Sequence, residues 1–261
     1  ILLNPVPRRL RPWTIRDGET FLVSERFRPE GNARGERVVT DGARRMRMPE
    51  GGYFFDGDWL ACSEYDTEEE ELSAYAARAE SLYKETDYAT FQLGFPAFFG
   101  DVEFACDILT DPDRVLEQQE AGLAYWLART GRVIDRYGPY IQGIVIAGDM
   151  GTQSGPYVSR EHFDTFTLPY LQKYCRFVHE NSDLRIHLHS CGSIAPLIPS
   201  LVEAGVDILN PVQISAANMD PTDLKQRFGD KMCFWGGGCD TQNVLPWATP
   251  EAVRDHVRSL V

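Results

Sequence analysis

Residues 141–192 read IQGIVIAGDMGTQSGPYVSREHFDTFTLPYLQKYCRFVHENSDLRIHLHSCG. IQGIVIAGD (141–149) is a short apolar run that stops at Gly-Asp, the pattern of a buried strand. SREHFDTFTLPYLQKYCRFVHENS (159–182) is apolar at helical intervals and opens on Ser159, a residue type that caps helices. LRIHLHSCG (184–192) is a second short strand that stops at glycine. Strand, helix and strand in this order mean parallel strands joined by a crossover helix.

The same rhythm continues on both sides. Upstream, YATFQLGF (88–95) reads as a strand. It precedes a long helix, DPDRVLEQQEAGLAYWLARTGRVIDRYG (111–138), with Asp111 as N-cap and a closing glycine. Downstream come helix SIAPLIPSLVEAG (193–205), strand VDILNPVQ (206–213), helix DPTDLKQRFG (220–229), strand MCFWGGGCD (232–240) and helix TPEAVRDHVRSLV (249–261). Five strands are clear, and the start of the chain offers a sixth. The fold class is therefore α/β. A closed barrel takes eight such units in ~250 residues, so a (β/α)8 TIM barrel would be incomplete in this chain, its last strand missing or supplied by residues outside it.

Residues 1–60 differ. They are rich in Arg, Gly and Pro, with short β-like runs, and read as an irregular, β-rich N-terminal cap or extension. The barrel domain is expected over 61–261. It begins with DTEEEELSAYAARAESLYKET (66–86), a helix with acids at its N-terminus and apolar Leu72, Tyr75, Ala79 and Leu82 at helical spacing.

Composition narrows the function. The chain has 261 residues, 43% of them hydrophobic and 25% charged, enough for a large core in a water-soluble fold. A net charge of −13 argues against nucleic acid or an anionic membrane as the main partner, although arginines cluster in RRLRPW and ARRMRM. No apolar run approaches the ~20 residues of a membrane span. Six scattered cysteines and no signal-peptide pattern point to the cytoplasm. The first residue is not methionine, so the natural chain is expected to begin earlier.

In parallel α/β folds the site lies at the carboxyl ends of the strands. Those ends are GFPAFFGD (94–101), GDMGTQSGP (148–156), HSCGS (189–193), NPVQ (210–213) and GGGCDTQ (236–242). They are rich in glycine, polar residues and possible ligands, which marks an enzyme. In RIHLHSC, Ile186 and Leu188 share one face, and His187, His189 and Cys191 the other. His189 and Cys191 are about 6.6 Å apart along a strand, a spacing from which an imidazole and a thiolate reach one ion such as zinc. Alternation in MCFWGGGCD brings Cys239 to its strand end, level with that pair. Small Gly143, Val145 and Ala147 suit a barrel interior, with Asp149 at its mouth.

Blander readings stand beside these. A lone His-x-Cys often only packs. His187 reads as a core histidine. Cys62, Cys106, Cys175 and Cys233, with the helical His162, His179 and His256, read as structural. Gly236–Gly238 lack the Lys-Ser/Thr of a phosphate loop.

The segments GDMGTQSGPYVSREHFDTFTLPYLQK, IHLHSCGSIAPLIPSLVEAGVDILNPVQ and FWGGGCDTQNVLPWATPEAV resemble the uroporphyrinogen decarboxylase (URO-D) superfamily over roughly residues 85–261. The resemblance implies a (β/α)8 barrel with its site at the carboxyl-end mouth, and barrels that often pair as homodimers. One branch of the superfamily decarboxylates uroporphyrinogen without a cofactor. The other transfers methyl groups to or from corrinoid proteins, using zinc held by His-x-Cys and a later cysteine. His189-Ser190-Cys191 is similar to the second branch. The arginine-rich segment and early aspartate of the decarboxylases have no convincing counterpart in RRLRPWTIRDG. The methyltransferases' third ligand lies on a later strand than Cys239, so Cys239 rests on the strand-end argument alone.

The resulting expectation is a zinc-dependent methyltransferase with a small-molecule substrate and a corrinoid partner protein. Its metal ligands are His189, Cys191 and Cys239, and its catalytic residues Asp149, His189 and Cys191. Asp149 is a fourth ligand or orients His189. Gln153, Gln213 and Gln242 supply hydrogen bonds. Phe95, Phe98, Phe99, Tyr157 and Trp235 wall an apolar pocket. The competing expectations are metal-free decarboxylation of a tetrapyrrole or similar carboxylated aromatic, served by Arg8, Arg9 and Arg11, and a non-catalytic corrinoid- or tetrapyrrole-binding protein.

Overall fold

The computed structural model describes residues 1–3, 10–14, 18–25, 27–41, 44–52, 55–57, 67–96 and 102–260. It divides into two compact units, Asn4–Arg78 and a larger one built from Ile1–Leu3 with Ala79–Val261. Strand β1 (Leu2–Leu3) belongs to the larger unit.

The smaller unit is antiparallel. β2 (Leu10–Thr14) pairs with β3 (Thr20–Ser24). β4 (Glu30–Gly31), β5 (Arg37–Asp41), β6 (Arg44–Met48) and β7 (Asp56–Gly57) form a second sheet in that order. The β4–β5 turn is set locally. The Asn32 carboxamide accepts from the backbone N–H of Arg34 and Glu36, and Gly35 takes a φ of 72° that few other residues tolerate. Trp13, Phe27 and Phe55 cluster with ring centroids 5.1–6.0 Å apart, edge to face in two of the three pairs.

Helix α1 (Glu68–Glu85) buries Leu72, Ala79 and Leu82, three positions of the helical stripe. The larger unit then alternates strand and helix. β8 (Phe91–Pro96) leads into α2 (Val102–Thr110) and α3 (Pro112–Tyr137). β9 (Gly143–Ala147) leads into α4 (Arg160–Phe166) and α5 (Leu168–Asn181). β10 (Arg185–His189) precedes α6 (Ile198–Ala204), β11 (Ile208–Asn210) precedes α7 (Pro221–Phe228), and β12 (Cys233–Phe234) precedes α8 (Pro250–Ser259). The six strands lie in the order β1-β8-β9-β10-β11-β12, every pair parallel.

The sheet is curled into part of a barrel. Four strand spacings of ~4.8 Å would separate β8 from β12 by roughly 19 Å in a flat sheet. Yet the rings of Phe91, on β8, and Trp235, just past β12, are 5.7 Å apart, with His187 of β10 touching both. These side chains meet across the concave face. Gly143 permits this, because a Cβ there would lie 2.8 Å from the Phe91 ring. On the convex face Ile144, Ile146, Ile186 and Leu188 are buried, as are Phe163, Leu171, Tyr174 and Leu201 on the helices. Each such side chain contributes about 1.5–3 kcal/mol by leaving water.

The caps at Asp111 and Ser159 form as expected, accepting from the N–H of Arg114 and His162. The single helix expected over 159–182 is two. Pro169 has no N–H to continue the ladder, and Thr167 leaves helical geometry at φ −125°. Buried Gln119 donates its side-chain N–H to the Phe166 carbonyl at that break.

Candidate active site

Strand alternation on β10 puts Ile186 and Leu188 in the core and leaves His187 and His189 partly exposed on the concave face. Beyond the strand, Cys191 turns back toward His189, with its Sγ 3.7 Å from His189 Nε2. Asp149, past the end of β9, completes the group. Its Oδ1 accepts from the Cys191 backbone N–H at 2.8 Å and lies 3.8 Å from His189 Nε2. Donor atoms of Asp149, His189 and Cys191 all fall within 4.8 Å of one another.

The loop that presents Cys191 is packed backbone to backbone. Gly192 has φ 88°, and a Cβ on it would lie 2.2 Å from the Gly151 carbonyl oxygen. Ser190 Oγ accepts from the Met150 N–H at 2.9 Å, and the Gly192 N–H donates to Gln213 Oε1 at 2.8 Å. Partial burial, and secondarily the Asp149 carboxylate that the thiol faces, raise the Cys191 pKa. Burial, then the neighbouring His189, lower that of His187.

These donors fit a divalent cation. Zinc–nitrogen and zinc–sulfur bonds of about 2.1 and 2.3 Å at a tetrahedral angle separate N from S by roughly 3.6 Å, and the observed separation is 3.7 Å. His189 is also oriented for it. Its Nδ1 is 2.6 Å from Asn210 Oδ1, which leaves Nε2 facing the sulfur and the carboxylate.

A cavity of about 710 Å³ opens on Cys191 and Asp149, lined also by Gln153, Tyr157, Gln213, Cys239 and Gln242. Cys239 is a cavity residue but stands outside the three-residue group among the described residues. The expected alternation does not carry it to a strand end. β12 stops at Phe234, and Gly236 and Gly237 take φ of 136° and 72°, which turns the chain. Gly236 lies against Pro211, where a Cβ would be 1.9 Å from the carbonyl oxygen. Gln213, expected to supply a hydrogen bond, lines the cavity and accepts from the Gly192 N–H through its side-chain oxygen. Trp235 packs on His187 and Phe91. For Phe95 only the backbone, in β8, is described, and Phe98, Phe99, Cys62, Arg8 and Arg9 lie outside the described residues. Arg11 donates to the Phe27 carbonyl.

Sequence reasoning missed Asn210. It lies on the strand beside His189, in direct register with it, and a polar residue closing the apolar run VDILN was the available signal.

Residues 142–261 match the family model described as Uroporphyrinogen decarboxylase (URO-D). The matched segment contains Asp149, His189, Cys191 and Asn210. A comparison with curated proteins gives no match. Among solved structures, the chain is similar to a methyltransferase from Methanosarcina mazei at 16% identity and a TM-score of 0.43, over 72% of this chain and 53% of that one. The chain thus spans about half the length of that protein. No helix among the described residues is long and apolar enough to cross a membrane.

Proposed function

We propose that this chain carries the zinc site of a URO-D-type methyltransferase, which moves a methyl group between a small substrate or thiol and a corrinoid protein. The observation that carries the reading is the His189–Cys191 pair, whose nitrogen and sulfur stand 3.7 Å apart beside Asp149. His189 and Cys191 would hold the metal, with Asp149 as the third donor and Cys239 as a further thiol on the cavity wall. Zinc bound there supplies Lewis acidity, which makes a thiol more acidic or a methylated heteroatom a better leaving group.

The chain's own residues prepare the site. Asn210 orients the His189 ring, and Asp149 fixes the backbone of Cys191. The Gln213 carboxamide holds the next amide of the same loop. Gln153, Tyr157 and Gln242 face the cavity and are the groups available to orient a substrate. Trp235 with Phe91 and His187 forms an aromatic floor on the concave face. The catalytic domain proposed for residues 61–261 contains all of them.

The test is elemental analysis of protein purified with zinc present, beside a His189→Ala/Cys191→Ala double variant. It is paired with an assay of methyl transfer from methylcobalamin to a thiol. About one zinc per chain, lost together with transfer in the variant, supports the reading. No zinc bound by the wild type at micromolar metal rejects it and brings metal-free decarboxylation forward.

A further inference from the structure

We infer that Asn210 is a positioning residue that selects the tautomer of His189. This inference rests on the metal-site reading for its consequence but not for its test. Asn210 and His189 are register partners on β11 and β10. His189 Nδ1 lies 2.6 Å from Asn210 Oδ1. A carboxamide can be turned over to offer its nitrogen instead, and here a third strand prevents that. Asn210 Nδ2 donates to the Trp235 carbonyl, just past β12, at 2.8 Å. With the amide nitrogen committed to a carbonyl, only the oxygen is left for the imidazole. The oxygen accepts, so Nδ1 carries the proton and the Nε2 lone pair faces Cys191 Sγ and Asp149.

A chain of hydrogen bonds therefore runs across three strands, from Nδ1–H of His189 to Asn210 and from Asn210 to the Trp235 carbonyl. It fixes the ring plane and the tautomer before any ligand arrives. The opposite tautomer would turn an N–H toward the donor group and block it. Partners of this kind change metal affinity by roughly 10–100-fold.

Two readouts test the inference. Long-range proton–nitrogen correlation NMR of the metal-free protein, above the pH at which histidines titrate, reports the His189 tautomer directly. The expected result is Nδ1–H in the wild type and in Asn210→Asp, which keeps the acceptor, and loss of that preference in Asn210→Leu. Competition titration with zinc and a chromophoric chelator is expected to show affinity at least tenfold weaker in Asn210→Leu and restored in Asn210→Asp. A wild-type His189 in the Nε2–H form overturns the inference whether or not metal binds, and needs no variant to fold. So does an Asn210→Leu protein that folds with unchanged tautomer and zinc affinity. If the wild type binds no zinc but holds Nδ1–H, the metal reading fails while the positioning role stands.

Discussion

The carboxylate of Asp149 and the backbone N–H of Cys191 are joined by a 2.8 Å hydrogen bond between the ends of two adjacent strands. This bond does two things. It fixes the turn that sends the Cys191 side chain back toward His189, and it sets a negative charge beside a thiol. Without a cation, the partial burial of the thiol, and secondarily that charge, raise the Cys191 pKa and favour the protonated thiol. A bound cation reverses the balance, because it stabilises the thiolate and the carboxylate together.

Asp149→Asn keeps an oxygen for the Cys191 N–H and removes the charge. The thiol pKa falls, though burial still holds it up. Iodoacetamide modification of Cys191 at pH 8, followed by peptide mass spectrometry, is expected to run faster than in the wild type, because a lower thiol pKa raises the thiolate fraction. Equal rates would show that the carboxylate does not govern this thiol.

Zinc is expected to protect Cys191 from the same reagent and to raise the melting temperature. At a hundredfold excess over Kd, binding stabilises the fold by about 2.7 kcal/mol, which is roughly 5–10 °C for a unit of this size. The His189→Ala/Cys191→Ala variant should show neither effect. A zinc-induced shift that survives in the variant would place the metal elsewhere.

Gly192→Ala meets two obstacles, a left-handed φ of 88° and a backbone oxygen 2.2 Å from the new Cβ. Strain alone costs about 1–3 kcal/mol, and the clash is with main chain that has no rotamer to change. The expected result is a loss of about 3 kcal/mol or more in urea unfolding. A variant within 0.5 kcal/mol of wild type would mean that the two loops are not packed this closely.

His187 gives the stability a pH dependence. Its folded pKa lies below the ordinary 6.5, first because it is partly buried and then because His189 is close. As pH falls through 6.5, the unfolded chain takes up a proton that the folded chain refuses, so stability declines from there down to the lowered folded value. His187→Phe keeps a ring between Phe91 and Trp235 and removes the titration. Its stability between pH 7 and pH 5 should fall less steeply than that of the wild type, as measured by urea unfolding. A parallel pair of curves would refute the assignment.

Much of this architecture is written locally. Apolar runs of strand length, helical spacing and capping residues alternate along residues 88–261, and their order alone requires parallel strands with crossover helices. The period of two along β10 separates Ile186 and Leu188 from His187 and His189, because successive side chains on a strand point to opposite faces. That same rule puts His189 at the mouth, and Cys191, two residues past the strand, is returned to it by the turn that Asp149 holds.

Other features depend on residues far apart in sequence. The sixth strand offered by the start of the chain is only two residues, Leu2–Leu3, too short for a period of its own, and pairing with β8 is what defines it. The rule that served β10 failed at Cys239, because alternation holds only while the backbone stays extended. Gly236 and Gly237 bend it to lie against Pro211, 25 residues earlier in the chain. Asn210 joins the site through a register partner 21 residues away, and its amide is held by the Trp235 carbonyl 25 residues further on. The sequence by itself determined the alternation of strands and helices along residues 88–261 and the two metal-type donors, since these follow from each segment's own period and residue chemistry. Only the tertiary structure decided that Asn210 holds His189 and that Asp149 accepts from the Cys191 amide, because hydrogen bonds between neighbouring strands are set by register, and register belongs to the assembled sheet.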